Sequence, residues 1–107
     1  MNIDSNKPLS EQYRLAAREW CEVDAAANLL EETKSAMLAK RMSACGDIPV
    51  SKAEMKVKAS ASWEDYISAM VEARKRASLL KVELEYIRMK YFEWQSEGAN
   101  RRAEMKL

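Results

Sequence analysis

The chain has 107 residues, which is enough for one domain at most, and it contains only two glycines and two prolines. Long stretches therefore run without a helix breaker, and with 33% charged residues the composition favours an all-α fold over a sheet. The 18 lysines and arginines nearly balance the 17 aspartates and glutamates, so net charge gives no reason to expect a polyanionic partner, and the lack of histidine removes the common zinc-site patterns.

The first predicted helix follows a polar segment, residues 1–9, that contains Pro8 and shows no apolar period, so we predict a flexible N-terminus. Ser10 is a candidate N-cap ahead of the acidic Glu11. Apolar residues then recur at alternating spacings of four and three, the heptad pattern of a helix that packs on another helix. This first seam consists of Leu9, Tyr13, Ala16, Trp20, Val23, Ala27, Leu30, Lys34 and Met37. Lys34 interrupts it, and we expect its stem to pack on the seam with its ammonium group in water.

The helix is predicted to end near Ala44, because Gly46 can adopt the left-handed conformation that closes a helix. Pro49 then turns the chain. Ser51 and Glu54 have the S-x-x-E spacing of a capping box and predict a short helix.

The second long helix is predicted to start with Ser62 as its cap. Its seam is apolar at every heptad position: Trp63, Tyr66, Met70, Ala73, Ala77, Leu80, Leu84, Ile87, Tyr91 and Trp94. Gly98 is predicted to end or fray this helix. We therefore expect a long antiparallel, coiled-coil-like helical hairpin over residues 10–97 with a short helix at the turn, and a C-terminal tail over residues 98–107.

A second apolar stripe lies beside the seam of the second long helix. Its residues are Leu79, Val82, Tyr86, Met89 and Phe92. A two-helix hairpin has no third layer to cover them, so we predict a partner or oligomer surface. The favoured interpretation is a homodimer that forms a four-helix bundle. The stripe docking on a different protein, and the tail with residues 51–59 folding back over it, are the alternatives.

Basic residues gather around the predicted turn and form a possible nucleic-acid contact through charge alone. They are Lys40, Arg41, Lys52, Lys56 and Lys58, followed further along by Arg74, Lys75 and Arg76. The alternative is a solvated helix surface. Since no aromatic residue is interleaved with these lysines and no DNA-binding motif is present, only weak, non-specific, salt-sensitive DNA binding is predicted.

The two thiols are predicted to be reduced and the protein to be cytoplasmic, because the start "MNIDSNKPLSEQ" lacks the apolar segment of a signal peptide and no stretch could span a membrane. Cys21 falls among apolar positions and is predicted to be buried, and Cys45 to be exposed. Trp20, Trp63 and Trp94 are predicted to be core residues.

No enzyme activity, metal or cofactor is predicted. The chain has no histidine to act as a general base, and neither cysteine has an activating base nearby in the sequence.

Three motifs occur in order: the "VSKAE" restart, S-x-x-W-x-x-Y at Ser60, Trp63 and Tyr66, and W-x-S-x-x-A-x-R-R. The last motif consists of Trp94, Ser96, Ala99, Arg101 and Arg102. This order resembles a loosely defined family of small helical proteins from temperate phages and prophages, over most of the chain. Genes of this kind tend to lie near phage recombination genes. The resemblance therefore implies a non-enzymatic accessory protein that acts by binding in DNA recombination or replication. An inhibitor or adaptor docking on a host defence or nuclease complex is the alternative.

Overall fold

The computed structural model describes residues 4–106, so the parts of the predicted N-terminus and tail at residues 1–3 and 107 lie outside it. Three helices are present: α1 at Leu9–Ser43, α2 at Val50–Lys58 and α3 at Ala61–Met105. No strand occurs within the described range. The predicted all-α helical hairpin with a short helix at its turn is therefore confirmed, and the dimeric bundle stays a prediction.

The chain divides into two compact units. One contains the residues up to Glu22 and those from Ser78 onward, and here the first part of α1 packs against the last part of α3. Its core joins Ala16 of α1 to Leu84 and Ile87 of α3, with Trp20 packed at the edge. Ala16 has no exposed surface, and its small side chain allows the two helices to approach closely. Burial of Leu80, Leu84 and Ile87 confirms the predicted seam in this unit.

α1 begins one residue before the predicted cap. The amides of Glu11 and Gln12 each donate to the Pro8 carbonyl at 3.0 Å, so Ser10 lies inside the helix and the N-cap prediction is wrong. Gln12 is only 4% exposed, and its Nε2 donates to the carbonyl of Lys7 at 2.7 Å and to that of Ser5 at 3.4 Å. This buried amide therefore ties the segment before α1 to the helix.

The second unit, Val23–Ala77, contains the rest of α1, all of α2 and the start of α3. Trp63 is buried, as predicted, and stacks on Tyr66 with ring centroids 5.4 Å apart. The Tyr66 hydroxyl donates to the Leu30 carbonyl at 2.5 Å and lies 3.0 Å from Thr33 Oγ1. The tyrosine thus adds directional bonds to an otherwise apolar contact.

The turn confirms one sequence prediction and corrects another. Gly46 has a φ of +89°, the left-handed conformation expected of it. α2 starts after Pro49 with no side-chain capping bond, so the capping box is wrong: Glu54 pairs instead with Lys58 at 2.7 Å.

The cap of α3 is Ser60 and not Ser62. The amide of Trp63 donates to Ser60 Oγ at 3.2 Å, while the same hydroxyl donates to the Val57 carbonyl at 2.6 Å. One serine therefore links the end of α2 to the start of α3.

α3 continues through Gly98 to Met105, so the predicted end at Gly98 is wrong. Gly98 does not have a positive φ. Glycine inside a helix costs only about 0.5–1 kcal/mol relative to alanine, and good helix formers surround it. Arg101 and Glu97 also approach each other to 3.7 Å at helical spacing across this glycine.

Candidate functional site

The five residues of the second stripe are all exposed within their own chain. The exposed fractions of Leu79, Val82, Tyr86, Met89 and Phe92 lie between 54% and 66%. At 3.6 residues per turn, they point away from the face that carries Leu80, Leu84 and Ile87. The stripe is therefore an uncovered surface in the first unit, and its role as a partner surface stays a prediction.

The uncovered stripe is large enough to matter energetically. Full burial of one large apolar side chain contributes about 1.5–3 kcal/mol, and each of the five retains more than half of its surface in water. Several kcal/mol are therefore available to a molecule that covers all five. Contiguous apolar patches of this kind are typical of interaction sites.

Tyr13, predicted for the seam of α1, is 40% exposed, and two aromatic residues predicted for the seam of α3 are exposed as well. Tyr91 is 43% and Trp94 is 62% exposed, so the prediction that Trp94 is a core residue is wrong. Ala16 packs against Leu84 and Ile87, and Trp94 lies seven to ten positions further along α3. In an antiparallel pair it therefore faces residues 6–9, where α1 only begins, and it has no helix to pack on.

These aromatic residues form an ordered cluster beside the stripe. The rings of Tyr91 and Trp94 stack with centroids 6.2 Å apart, and those of Tyr91 and Phe92 are tilted at 5.8 Å. Gln95 Nε2 donates to the Tyr91 hydroxyl at 2.9 Å. The Lys90 ammonium group lies 5.2 Å from the centre of the Tyr86 ring, a cation–π contact.

The predicted basic group near the turn is only partly available to a ligand. The Arg41 guanidinium lies over the rings of Trp63 and Tyr66, at 5.6 Å and 5.7 Å, and Lys58 pairs with Glu54. Lys40, Lys52 and Lys56 are exposed. None of these three lysines forms an ion pair with another described residue. The nucleic-acid contact stays a prediction, and Lys40, Lys52 and Lys56 are its members outside these contacts.

Arg74 belongs to an interhelical cluster in the second unit. It donates to Glu31 at 2.7 Å and 2.8 Å, to Asp24 at 2.7 Å and to Asn28 at 2.6 Å. The three acceptors follow one face of α1, and the planar guanidinium fork fits them together. Hydrogen bonds to Glu31 and Asp24 raise the pKa of Arg74, and the bond to Arg74 lowers the pKa of Glu31. Arg74 is thus occupied in holding α3 to α1.

The two cysteines differ from their predicted environments. Cys21 is exposed, although it was predicted to be buried, because it lies next to the seam position Trp20 and points off that face. Cys45 is half-buried, with its Sγ 3.5 Å from the Arg41 carbonyl, where exposure was predicted. Both thiols are free.

Within residues 4–106, no group of three or more cysteine, aspartate or glutamate side chains is placed to hold a metal ion. Over the same range, none of the helices contains an apolar segment of the length that is needed to cross a membrane. Comparisons with protein-family models, with curated proteins and with solved structures found no match to this chain.

Proposed function

We propose that this protein is a non-enzymatic binding protein that pairs with a second copy of itself through the stripe on α3, and that it serves DNA recombination or replication in a temperate phage or prophage. One observation carries the binding role. All five stripe residues are exposed on the face of α3 that points away from α1.

The spacing of the stripe favours a second copy as its occupant. Leu79, Val82, Tyr86 and Met89 are separated by three, four and three positions, a pattern that reads the same in both directions. An antiparallel copy of α3 therefore places Leu79 opposite the partner's Met89 and Val82 opposite the partner's Tyr86. Such self-complementarity is what a two-fold interface requires, and two hairpins joined in this way form an antiparallel four-helix bundle.

The DNA-related role is supported by the resemblance to small helical phage proteins and by the order of the three motifs. Of the closing motif, Trp94 is exposed, and so are Ser96, Ala99, Arg101 and Arg102. These side chains are accessible for binding, and they do not fill a core.

The alternative role, an adaptor or inhibitor that docks on a host protein complex, would use the same stripe. Tyr86, Met89 and Phe92 favour it, because aromatic residues and methionine are enriched at protein interfaces and methionine adapts to varied partners.

Sedimentation velocity of the pure protein tests the proposal. We expect a particle of twice the 12.3 kDa chain mass at micromolar concentration. A monomer that stays a monomer as concentration rises would contradict self-association. If such a monomer also retains one host protein at a fixed stoichiometry, the adaptor role replaces the proposal.

A further inference from the structure

The first unit contains a cleft of about 930 Å³ between the segment before α1, the start of α1 and the end of α3. This volume lies within the range of small-ligand sites. Three cationic and three aromatic side chains line it, namely Lys7, Arg88, Lys90, Tyr13, Tyr91 and Trp94. As far as the described chain extends, no carboxylate lines the cleft. The cleft therefore combines ring faces with positive charge.

The rings of the cleft remain available to a ligand. Trp94 is the most exposed of the three tryptophans, and Tyr13 and Tyr91 are each exposed by two fifths or more. Tyr91 and Trp94 already stack on each other at an interplanar angle of 29°, and the Gln95 amide holds the Tyr91 hydroxyl. A further planar group can extend this stack.

The cations of the cleft make weak contacts that a ligand can replace. The Lys90 ammonium group lies 5.2 Å from the centre of the exposed Tyr86 ring. Arg88 forms an ion pair with Glu85 at 3.8 Å, and both side chains are more than half exposed, so this pair is weak. Of the two acids that flank Lys7 in the sequence, Asp4 accepts a hydrogen bond from the Asn6 amide, and Glu11 is bound by Arg14 through two hydrogen bonds. A ligand anion in the cleft would therefore meet little competition.

The wall that carries Lys7 is held in place before any ligand binds. Gln12 is buried and donates to the backbone carbonyls of Lys7 and Ser5. Pro8 also lines the cleft and restricts the backbone between Lys7 and α1. A ligand therefore meets a preformed site, which reduces the entropy lost on binding.

We infer that this cleft binds single-stranded nucleic acid, with bases stacking on Trp94 and Tyr91 and phosphates contacting Lys7, Arg88 and Lys90. Aromatic platforms beside a positively charged groove are how proteins hold single strands without sequence preference. An acidic peptide would satisfy the cations but offers no series of planar groups to the rings, and a duplex keeps its bases inside the stack. The inference rests on the DNA-related role proposed above. It does not use the lysines near the turn, and it meets the stripe only where Lys90 lies over the Tyr86 ring.

Fluorescence anisotropy of a labelled short oligothymidylate with the full chain tests the inference. Three phosphate contacts give a slope of log affinity against log salt of about −2 for a single strand, or roughly a twentyfold loss between about 50 and 200 mM salt. Lys90→Ala should reduce this slope to about −1.4. Lys34→Ala removes the same charge at an exposed position outside both the cleft and the basic group near the turn, and it should leave the slope unchanged. Lys52→Ala tests the basic group near the turn.

Stacking is tested at Trp94, whose exposure allows substitution without loss of the fold. Losing the platform for one base weakens binding by about 5- to 150-fold. Trp94→Ala should show this loss, and Trp94→Phe should retain most of the affinity because it keeps a ring. Circular dichroism checks that both variants stay helical.

Three results would overturn the inference. The first is an affinity for the oligonucleotide that Trp94→Ala leaves unchanged. The second is an affinity that Lys52→Ala abolishes and Lys90→Ala does not. The third is displacement of the oligonucleotide by polyglutamate at equal charge. The second result leaves the DNA-related role standing with its site near the turn. If the protein binds neither oligothymidylate nor duplex DNA at low salt, both the nucleic-acid site in the cleft and the DNA-related role are contradicted. The dimer is tested separately, by sedimentation.

Discussion

Replacing Met89 with glutamate is the sharpest test of the stripe. Met89 is 60% exposed in its own chain, and full burial of such a side chain contributes about 1.5–3 kcal/mol. Covering the remaining surface is therefore worth about 1–2 kcal/mol per chain. A two-fold dimer loses this contribution twice, about 2–4 kcal/mol, which corresponds to a roughly 30- to 700-fold higher dissociation constant. Desolvating two carboxylates adds to the loss.

Sedimentation equilibrium of wild type and Met89→Glu measures this change, and circular dichroism measures helicity. Helicity should be unaffected, since glutamate is a good helix former at an exposed position. Met89→Leu conserves volume and should keep the dimer. Ala99→Glu adds the same charge on α3 outside the stripe, and it should keep the dimer as well. An unchanged dissociation constant in Met89→Glu would show that the stripe is not the interface, and an unfolded chain would show that the stripe belongs to the core.

Two further predictions concern the contacts between α1 and α3. Leu84 is 8% exposed in the core of the first unit, so Leu84→Ala should lower the free energy of unfolding by about 2–5 kcal/mol in urea denaturation. Leu79 is exposed, and Leu79→Ala should change the stability of the monomer by no more than about 0.5 kcal/mol. Equal effects of the two substitutions would contradict the seam. Because Arg74 lowers the pKa of Glu31, the contribution of Glu31 to stability is present above its unfolded pKa of about 4.3 and is lost as pH falls through the lower folded pKa. Denaturation at about pH 7 and about pH 3 should therefore show a smaller loss of stability for Arg74→Gln than for wild type, and equal losses would mean that the cluster does not hold the helices.

Burial in the middle of each helix could be predicted from the sequence because packing there depends on period alone. Leu80, Leu84 and Ile87 follow heptad spacing and are buried, and Leu84 and Ile87 pack against Ala16 of α1. At Trp94 the same spacing continues, but burial also needs a second helix opposite. The heptad period is a property of one helix, so it could not predict that α1 begins at a residue too far along the chain to cover Trp94.

Helix ends were predicted less well than helix faces because capping depends on which single residue leaves helical geometry. Ser60 and Ser62 are equally good candidates by residue type, and the bond from the Trp63 amide to the Ser60 hydroxyl distinguishes them. The exposed stripe was predictable because an apolar excess beyond one seam is visible in the sequence. The cleft was not, since it joins Lys7 to Arg88 and Lys90 across the whole length of the chain.

The stripe and the cleft adjoin on α3, because the Lys90 ammonium group lies over the Tyr86 ring and Tyr91 contacts Phe92. A dimer centred on Val82 and Tyr86 would place one cleft on each side of its two-fold axis. The two-fold axis falls midway between Val82 and Tyr86, and Tyr91 lies about seven residues, or roughly 10 Å, beyond it along the helix. The two clefts of an antiparallel pair are then roughly 20 Å apart along α3, and one strand that reaches both gains affinity through its high effective concentration at the second site.

Met89→Glu should therefore weaken binding of a long oligothymidylate while leaving binding of one short enough for a single cleft unchanged. Anisotropy titrations of both lengths against wild type and Met89→Glu measure this difference. Equal affinity of the two proteins for the long strand would mean that one cleft acts alone. Equal weakening for both lengths would mean that Met89 contacts the nucleic acid directly, and the stripe would then be part of the nucleic-acid site and not a surface for a second chain.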